Sequence, residues 1–455
     1  NKGKKMEKKE EKNLNEKFLT IFICISILIF PILELIGIIF NKKFFMQEEA
    51  LSVIGIFGVF VTIYYIFKCI KAKKIVLSDI FILLSILFCV FSIIFSKNIK
   101  TSIMGHKGYS ETPLQVMGYF TLFLLCTNIW NERNKKVILN TFFILGIIEA
   151  TVAFFQNFGI WPVTSMFDPE WHTRDHLAFG FTQHCNFFAA IAIIFTALFS
   201  TKFIYSNTKK EEIYLYFGTI LCECSVLFTY TRLGWVGIIT IVFLISILNI
   251  ILKKKQRQNI RYKVKFVLLL ISVVICFLLI SKISGQLEKD ILNSKEELNS
   301  DFQNFGTKRG KIWKAGIEAL KQYPITGVGF DIYDYSFFIC PDQSIRMRQN
   351  KGHNEYLHIT VTQGIFSGIN YLAFCFYTCF FAFNKIRKSD TEFGKSDLTK
   401  IFLVALCAYY VQALFNSSVT NVAIYKWILM GLLLPKNEQQ KIYFFNLLHK
   451  KYKKV

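Results

Sequence analysis

Apolar residues in this chain gather into blocks separated by short charged clusters. Most blocks run to about 20 residues, enough for a helix to cross a ~30 Å hydrocarbon layer. They fall at Phe18–Phe40, Leu51–Ile70, Ile75–Phe95, Thr112–Trp130, Val137–Phe158, Leu177–Phe203, Ile213–Tyr230, Leu233–Leu252, Val264–Ile283, Tyr356–Phe383, Ile401–Phe415 and Ser418–Leu434. Backbone groups inside hydrocarbon must satisfy one another, so the blocks predict helices rather than open strands. The expected fold is an all-α polytopic membrane protein with about 12 transmembrane helices.

One hydrophilic stretch interrupts the pattern at length, from Ser284 to Glu355. Within it Ile312, Trp313, Gly316, Ile317, Leu320 and Tyr323 recur at helical spacing, and Pro324 ends the run. The other face carries Lys311, Lys314, Glu318 and Lys321. Such a helix would lie on the membrane or cap the bundle.

Lys and Arg give the blocks a direction. With the N-terminus in the cytoplasm, the tail, the even-to-odd connections and the C-terminal segment hold 32 basic residues against 7 in the opposite short connections. The 284–355 segment then lies outside. The net charge of +23 is mainly loop charge near anionic lipid, and its scatter in short clusters argues against a nucleic-acid partner. Residues 1–17, rich in Lys and Glu, read as a disordered basic tail. The block after them is too long for a signal h-region and predicts an uncleaved anchor, with Met6 an alternative start to Asn1. The resulting division is 1–17, an N-terminal helical part 18–176, a core 177–434 containing the 284–355 loop, and a basic cytoplasmic tail 435–455.

Composition narrows the class further. Apolar residues make up 53% and charged residues 19%, which excludes collagen-like and disordered chains. Eleven of the 12 Cys lie in or beside apolar blocks, where Cys behaves as a small hydrophobe; only Cys340 sits in the long loop. No disulfide framework, C-x-x-C, P-loop or G-x-G-x-x-G follows.

Candidate chemistry collects on the outer side. Six of the seven His (His106, His172, His176, His184, His353, His358) lie there, with Arg174 and Arg232. Lys308 and Arg309 precede the amphipathic helix, whose free N–H groups attract anions. An Arg there could hold a phosphate by two parallel bonds or be an ordinary surface cation. Pro324-Ile-Thr-Gly327-Val-Gly329 reads as a turn. His172 and His176, with Asp168 and Asp175 nearby, could form a metal pair, but no third ligand is well spaced and Pro169 argues for loop, so no metal is expected. Glu34, Glu149, Glu223 and Lys426 fall inside blocks and suit either an ion path or buried pairing.

Arg309-Gly-Lys-Ile-Trp313, Pro324-Ile-Thr-Gly-Val-Gly329 and His353-Asn-Glu-Tyr-Leu357, in that order, resemble the signature of the bacterial O-antigen ligase and polymerase superfamily. Thr231-Arg-Leu-Gly-Trp235 resembles its S/T-R-x-x-W element, and Gly180-Phe-Thr-Gln-His-Cys-Asn186 is a looser match to its G-T-F-x-N-x-N stretch. In the latter Phe and Thr are exchanged and His184 stands where the family has a small residue or Asn. The resemblance spans about 177–434.

It implies a C-type glycosyltransferase-like fold that works without cofactor or metal. The implied donor is a glycan on undecaprenyl diphosphate at the outer leaflet of the bacterial plasma membrane. The implied acceptor is another glycan, a lipid or a wall anchor, with membrane lipid as surroundings. Carried over by position, His353, Arg309 and Arg232 are the catalytic candidates, the arginines on the diphosphate and the histidine near the acceptor hydroxyl. Arg174, Lys308, Lys311, Trp313, Gly327, Gly329, Asn354 and Glu355 are substrate-binding candidates. Direct attack would invert the anomeric centre. A polymerase of the same superfamily and a lipid-linked glycan transporter or flippase are the alternatives.

Overall fold

The structure is a computed structural model that describes residues 2–39, 45–105, 111–160, 177–182, 184–251, 260–284, 305–342, 349–389 and 397–443. The described helices, in chain order, begin with α1 (Lys2–Ile39), α2 (Phe45–Ala72), α3 (Leu77–Ile94), α4 (Ile99–Met104), α5 (Pro113–Cys126) and α6 (Glu132–Asn157). They continue with α7 (Cys185–Ile204), α8 (Lys209–Leu227), α9 (Arg232–Ile251), α10 (Ile260–Ser284) and α11 (Phe305–Gln322). The last are α12 (Tyr335–Ile339), α13 (Glu355–Gln363), α14 (Ile365–Ser389), α15 (Asp397–Gln412) and α16 (Thr420–Leu433).

Every apolar block of the sequence contains a helix. Among the described residues eight helices are long and apolar enough to cross a membrane: α1, α2, α3, α6, α7, α9, α10 and α14. The helices α5, α15 and α16 are apolar but shorter. This is an all-α polytopic membrane protein, apart from a small antiparallel pair, β1 (Lys74–Val76) with β2 (Lys441–Tyr443), that the sequence pattern does not predict. The helix α1 also extends through the tail expected to lack structure, where Lys, Glu and Met favour helix.

Burial sorts the helices into a core and a rim. The helix α16 is buried along its whole length, and α7 is buried from Phe187 to Thr201. By contrast, α2 exposes Phe57, Phe60 and Phe67, and α10 exposes Val274 and Leu278. Large apolar side chains on the rim suit contact with lipid tails, which are as apolar as Leu.

The described connections gather at two ends of the bundle. At one end Glu16 accepts N–H groups of Trp130 (3.2 Å) and Asn131 (2.7 Å), β1 pairs with β2, Lys436 meets Asp79 (3.1 Å), and Lys265 meets Glu212 (2.7 Å). At the other end Lys97 donates its N–H to the Val328 carbonyl and Ala178 donates to Phe228, both at 3.0 Å.

Two blocks depart from simple spans. The block expected from Leu177 begins as helix only at Cys185, because residues 177–182 form an inserted loop. Its N–H groups are satisfied by neighbours. Those of Phe179 (3.0 Å) and Gly180 (2.9 Å) reach Gln156 Oε1, and that of Phe181 reaches Glu149 Oε2 (3.1 Å). Irregular backbone at membrane depth requires such partners. The block from Tyr356 is broken into α13 and α14 at Gly364, which has φ +86°. A Cβ there would lie 2.0 Å from the Ile325 carbonyl oxygen, so only glycine lets the loop before Val328 press against the break.

The described part of the 284–355 segment folds as a cap with its own apolar centre. Ile312, Ala315 and Ala319 of α11 pack with Val328, Ile332, Tyr333 and Phe337 over Val361 of α13. The amphipathic helix therefore buries Ile312, Ala315 and Ala319 in the cap, while Ile317 of the expected apolar face stays exposed.

Candidate functional site

The site is built where α11 meets the loop leading into α13. Gly306 and Lys308 have positive φ (63° and 70°), which interrupts regular winding until Arg309. Arg309 nevertheless lies inside α11, whose assigned start is Phe305, rather than before the helix as the sequence suggests. One turn on, Trp313 Nε1 donates to the Gly352 carbonyl at 3.1 Å. That bond ties the arginine-bearing helix to the residue before His353.

His353 itself adopts φ 45°, a region non-glycine residues rarely occupy and one that concentrates at functional positions. Its N–H donates to Ser417 Oγ (3.0 Å), and Asn354 Oδ1 accepts the Leu357 N–H (2.9 Å) to cap α13. His353 Nδ1 is buried without a hydrogen-bond partner among the described residues. Burial, with Arg309, His184 and His358 adding repulsion, lowers the His353 imidazole to about 4. It is neutral at physiological pH and can accept a proton.

His184 caps α7. Its Nδ1 accepts the Asn186 N–H at 3.1 Å, and burial lowers it to about 4 as well. The carbonyl of Asn186 accepts from Asn416 Nδ2 (3.0 Å), next to the Ser417 that holds His353. The looser of the sequence motifs is thereby joined to the main one. Arg232 is the first residue of α9, after a turn in which Tyr230 has φ 46° and bonds Asn157 Oδ1 (2.9 Å). That turn receives the Ala178 N–H, which places Arg232 at the same end of the bundle as His184.

Other candidates from the sequence have visible structural tasks. Trp313 locks the loop and Asn354 caps a helix. Gly327 has φ +66°, and a Cβ on it would lie 2.5 Å from the Thr362 carbonyl oxygen. Gly329 donates its N–H to that same carbonyl (3.1 Å). Glu355 is buried, and its carboxylate is held by Lys426, Tyr371 and Tyr409. Lys308 is exposed and Lys311 half-buried at the head of α11. Arg174, and the His172 and His176 pair with Asp168 and Asp175, lie outside the described residues. Among the described residues no group of three His, Cys, Asp or Glu is placed to hold a metal.

Behind His353 lies a buried network that sequence reading missed. Asp331 Oδ1 receives Lys351 Nζ (2.7 Å) and His358 Nε2 (2.8 Å), while Oδ2 receives the Glu111 N–H (2.7 Å). Glu111 also meets Lys351 (3.3 Å) and accepts from Tyr119 (2.8 Å) and Ser418 (3.1 Å). Burial would raise the Asp331 carboxyl, but the Lys351 ammonium and the His358 bond overcome it and hold it at about 2. Burial likewise acts to lower Lys351, and Asp331 with Glu111 reverses this and raises it. Glu111, Asp331, His358, Glu355 and Lys426 line one cavity of about 70 Å³. The available signal was general: charged residues beside a functional motif in an apolar chain must pair if buried.

These features define a polytopic membrane protein with an arginine and histidine site at one end of its helical bundle. Residues 217–372, about a third of the chain, match the family described as O-Antigen ligase. The match supports membership of the O-antigen ligase superfamily and points to a glycosyl-transferring enzyme of polysaccharide biosynthesis. It covers Arg232, Arg309 and His353, and of the buried network Asp331, Lys351 and His358 but not Glu111. An uncharacterised protein of Haemophilus influenzae is 23% identical over 291 residues, which cover 62% of this chain and 68% of that protein.

Proposed function

We propose that this protein transfers a glycan from undecaprenyl diphosphate to an acceptor hydroxyl at the outer leaflet of a bacterial plasma membrane. The observation that carries this reading is the bond from Trp313 Nε1 to the Gly352 carbonyl (3.1 Å), which holds the helix bearing Arg309 to the residue before His353 and so joins two separate motifs. As the glycosidic bond breaks, negative charge grows on the departing diphosphate. Arg309, in the first turns of α11, and Arg232, at the start of α9, stabilise that charge. His353 takes or orients the proton of the attacking hydroxyl. A single displacement inverts the anomeric centre, and the residues at hand call for no metal. The excess of Lys and Arg in the opposite connections supports an extracytoplasmic site.

The buried charges that would serve a transporter have local partners instead. Lys426 pairs with Glu355, and Glu149 binds the Phe181 N–H.

Purified protein supplied with a lipid-diphosphate glycan and candidate acceptors, with products weighed by mass spectrometry, tests the reading. A glycan joined to a lipid or wall acceptor marks a ligase, and a lengthened lipid-linked glycan marks a polymerase. Substrate that crosses vesicles unchanged refutes transfer.

A further inference from the structure

The loop that delivers His353 is tied at every residue. Lys351 reaches Asp331 and Glu111 through its ammonium. The Gly352 N–H donates to His358 Nδ1 at 3.3 Å, and the Gly352 carbonyl accepts from Trp313. The His353 N–H goes to Ser417 and the Asn354 side chain to Leu357. Because His358 Nδ1 accepts, its proton resides on Nε2 and is donated to Asp331. The His358 imidazole therefore bridges a carboxylate from the segment between α11 and α12 to the peptide just before His353. Tyr333 stacks on its face at 5.5 Å, and a Cβ on Gly352 would lie 2.8 Å from the Tyr333 ring. Asp331, like His353, holds a left-handed backbone conformation (φ 53°). Two strained residues joined through one imidazole are not what simple core filling requires. Apolar side chains of similar volume often serve a core as well as buried ions.

We propose that Asp331, His358 and Lys351 are positioning residues. Together they fix the Gly352–His353 peptide so that the His353 ring is presented beside Arg309 for glycan transfer. None of the three needs to touch substrate. The proposal rests on the reading of His353 given above and adds the device that aims it. The charged and titratable groups that bear on His353 are Arg309, His184 and His358, with Lys351 and Glu355 two residues away on either side.

The test compares His358→Ala, His358→Gln and Asp331→Asn with the parent protein in one detergent. His358→Ala is expected to lower kcat tenfold or more while the KM for the lipid-diphosphate glycan stays within twofold. His358→Gln, whose amide can both accept from Gly352 and donate to Asp331, is expected to recover most of the rate. A released ring leaves its burial beside Arg309. The acid limb of kcat/KM should then move from near 4 toward the usual 6.5 in His358→Ala and Asp331→Asn. The pH dependence of His353 labelling by diethyl pyrocarbonate, read by mass spectrometry, should move with it.

A rate that falls only with the folded fraction, with both limbs unmoved, overturns positioning, as does a parent-like kcat in His358→Ala. If His358→Ala does not fold, the acid limb of Asp331→Asn and Lys351→Met decides, since loosening must still raise it. Full activity in His353→Ala would refute the transfer role of that histidine. The labelling limb would still report whether His358 holds the ring.

Discussion

Trp313 Nε1 lies 3.1 Å from the carbonyl oxygen of Gly352, and this one bond joins the helix that carries Arg309 to the loop that ends at His353. Four residues separate arginine from tryptophan along α11, so both project from the same side of the helix. A family signature that looks like two unrelated strings in sequence is one mechanical unit in space. Trp313→Phe keeps the ring against Phe415 but leaves the carbonyl unbonded. The expected cost is about 1 kcal/mol of stability, with a roughly tenfold lower turnover as the two elements drift apart. Thermal melting in detergent and product mass measured side by side check it.

Arg309→Ala and Arg232→Ala are each expected to lower transfer by roughly 100-fold or more, the scale of removing one preorganised charge donor. Arg309→Lys should recover little, because a point charge lacks the planar fork that grips two phosphate oxygens. Surface glycan in cells and lipid-diphosphate binding to purified protein are the measurements. Normal glycan in both alanine variants would remove the clamp.

His353→Ala should bind donor normally yet fail to transfer. In the parent protein the imidazole is lowered to about 4, so it loses its acceptor capacity only as pH falls toward that value. Turnover should hold from pH 7 to about 5 and then decline, where an ordinary histidine would already be protonated at 6.5. Stability follows the same sign. Between 6.5 and 4 the unfolded chain binds protons that folded His353 refuses, so folding weakens as pH falls through that window.

Glu355→Gln should damage folding rather than turnover. It leaves the Lys426 ammonium buried without its counter-ion, at an expected cost of about 3–5 kcal/mol. Glu355→Gln combined with Lys426→Met should restore much of the lost yield. Fluorescence-detected gel filtration distinguishes the two variants.

Treatment with EDTA is expected to leave transfer unchanged. Loss of activity restored by a divalent ion would favour a metal at His172 and His176.

Much of the architecture was legible because hydrophobic blocks and their basic flanks report directly on lipid and backbone constraints. The amphipathic run to Tyr323 and its stop at Pro324 came through for the same reason. What stayed hidden depends on contacts distant in sequence. Nothing near Leu177 indicates that Gln156 and Glu149 receive its loop, so helix was expected eight residues too early. Nothing beside Gly364 shows that Ile325 will press on it. For the candidate site, Arg309 and His353 were singled out through motif order, but Asp331, Lys351 and Glu111 belong to three separate segments and come together only when folded. Gly327, Gly329, Asn354 and Glu355 were flagged by the same motifs, and the structure shows each engaged in packing, capping or pairing.

A carboxylate deep in a membrane protein invites thoughts of pumping. Glu149 suggests a quieter use: it lends a loop the hydrogen-bond acceptor that water would give it elsewhere. Surveys that infer conduction from acids at bilayer depth would misfile chains built this way, unless they first ask which peptide group each acid is keeping company.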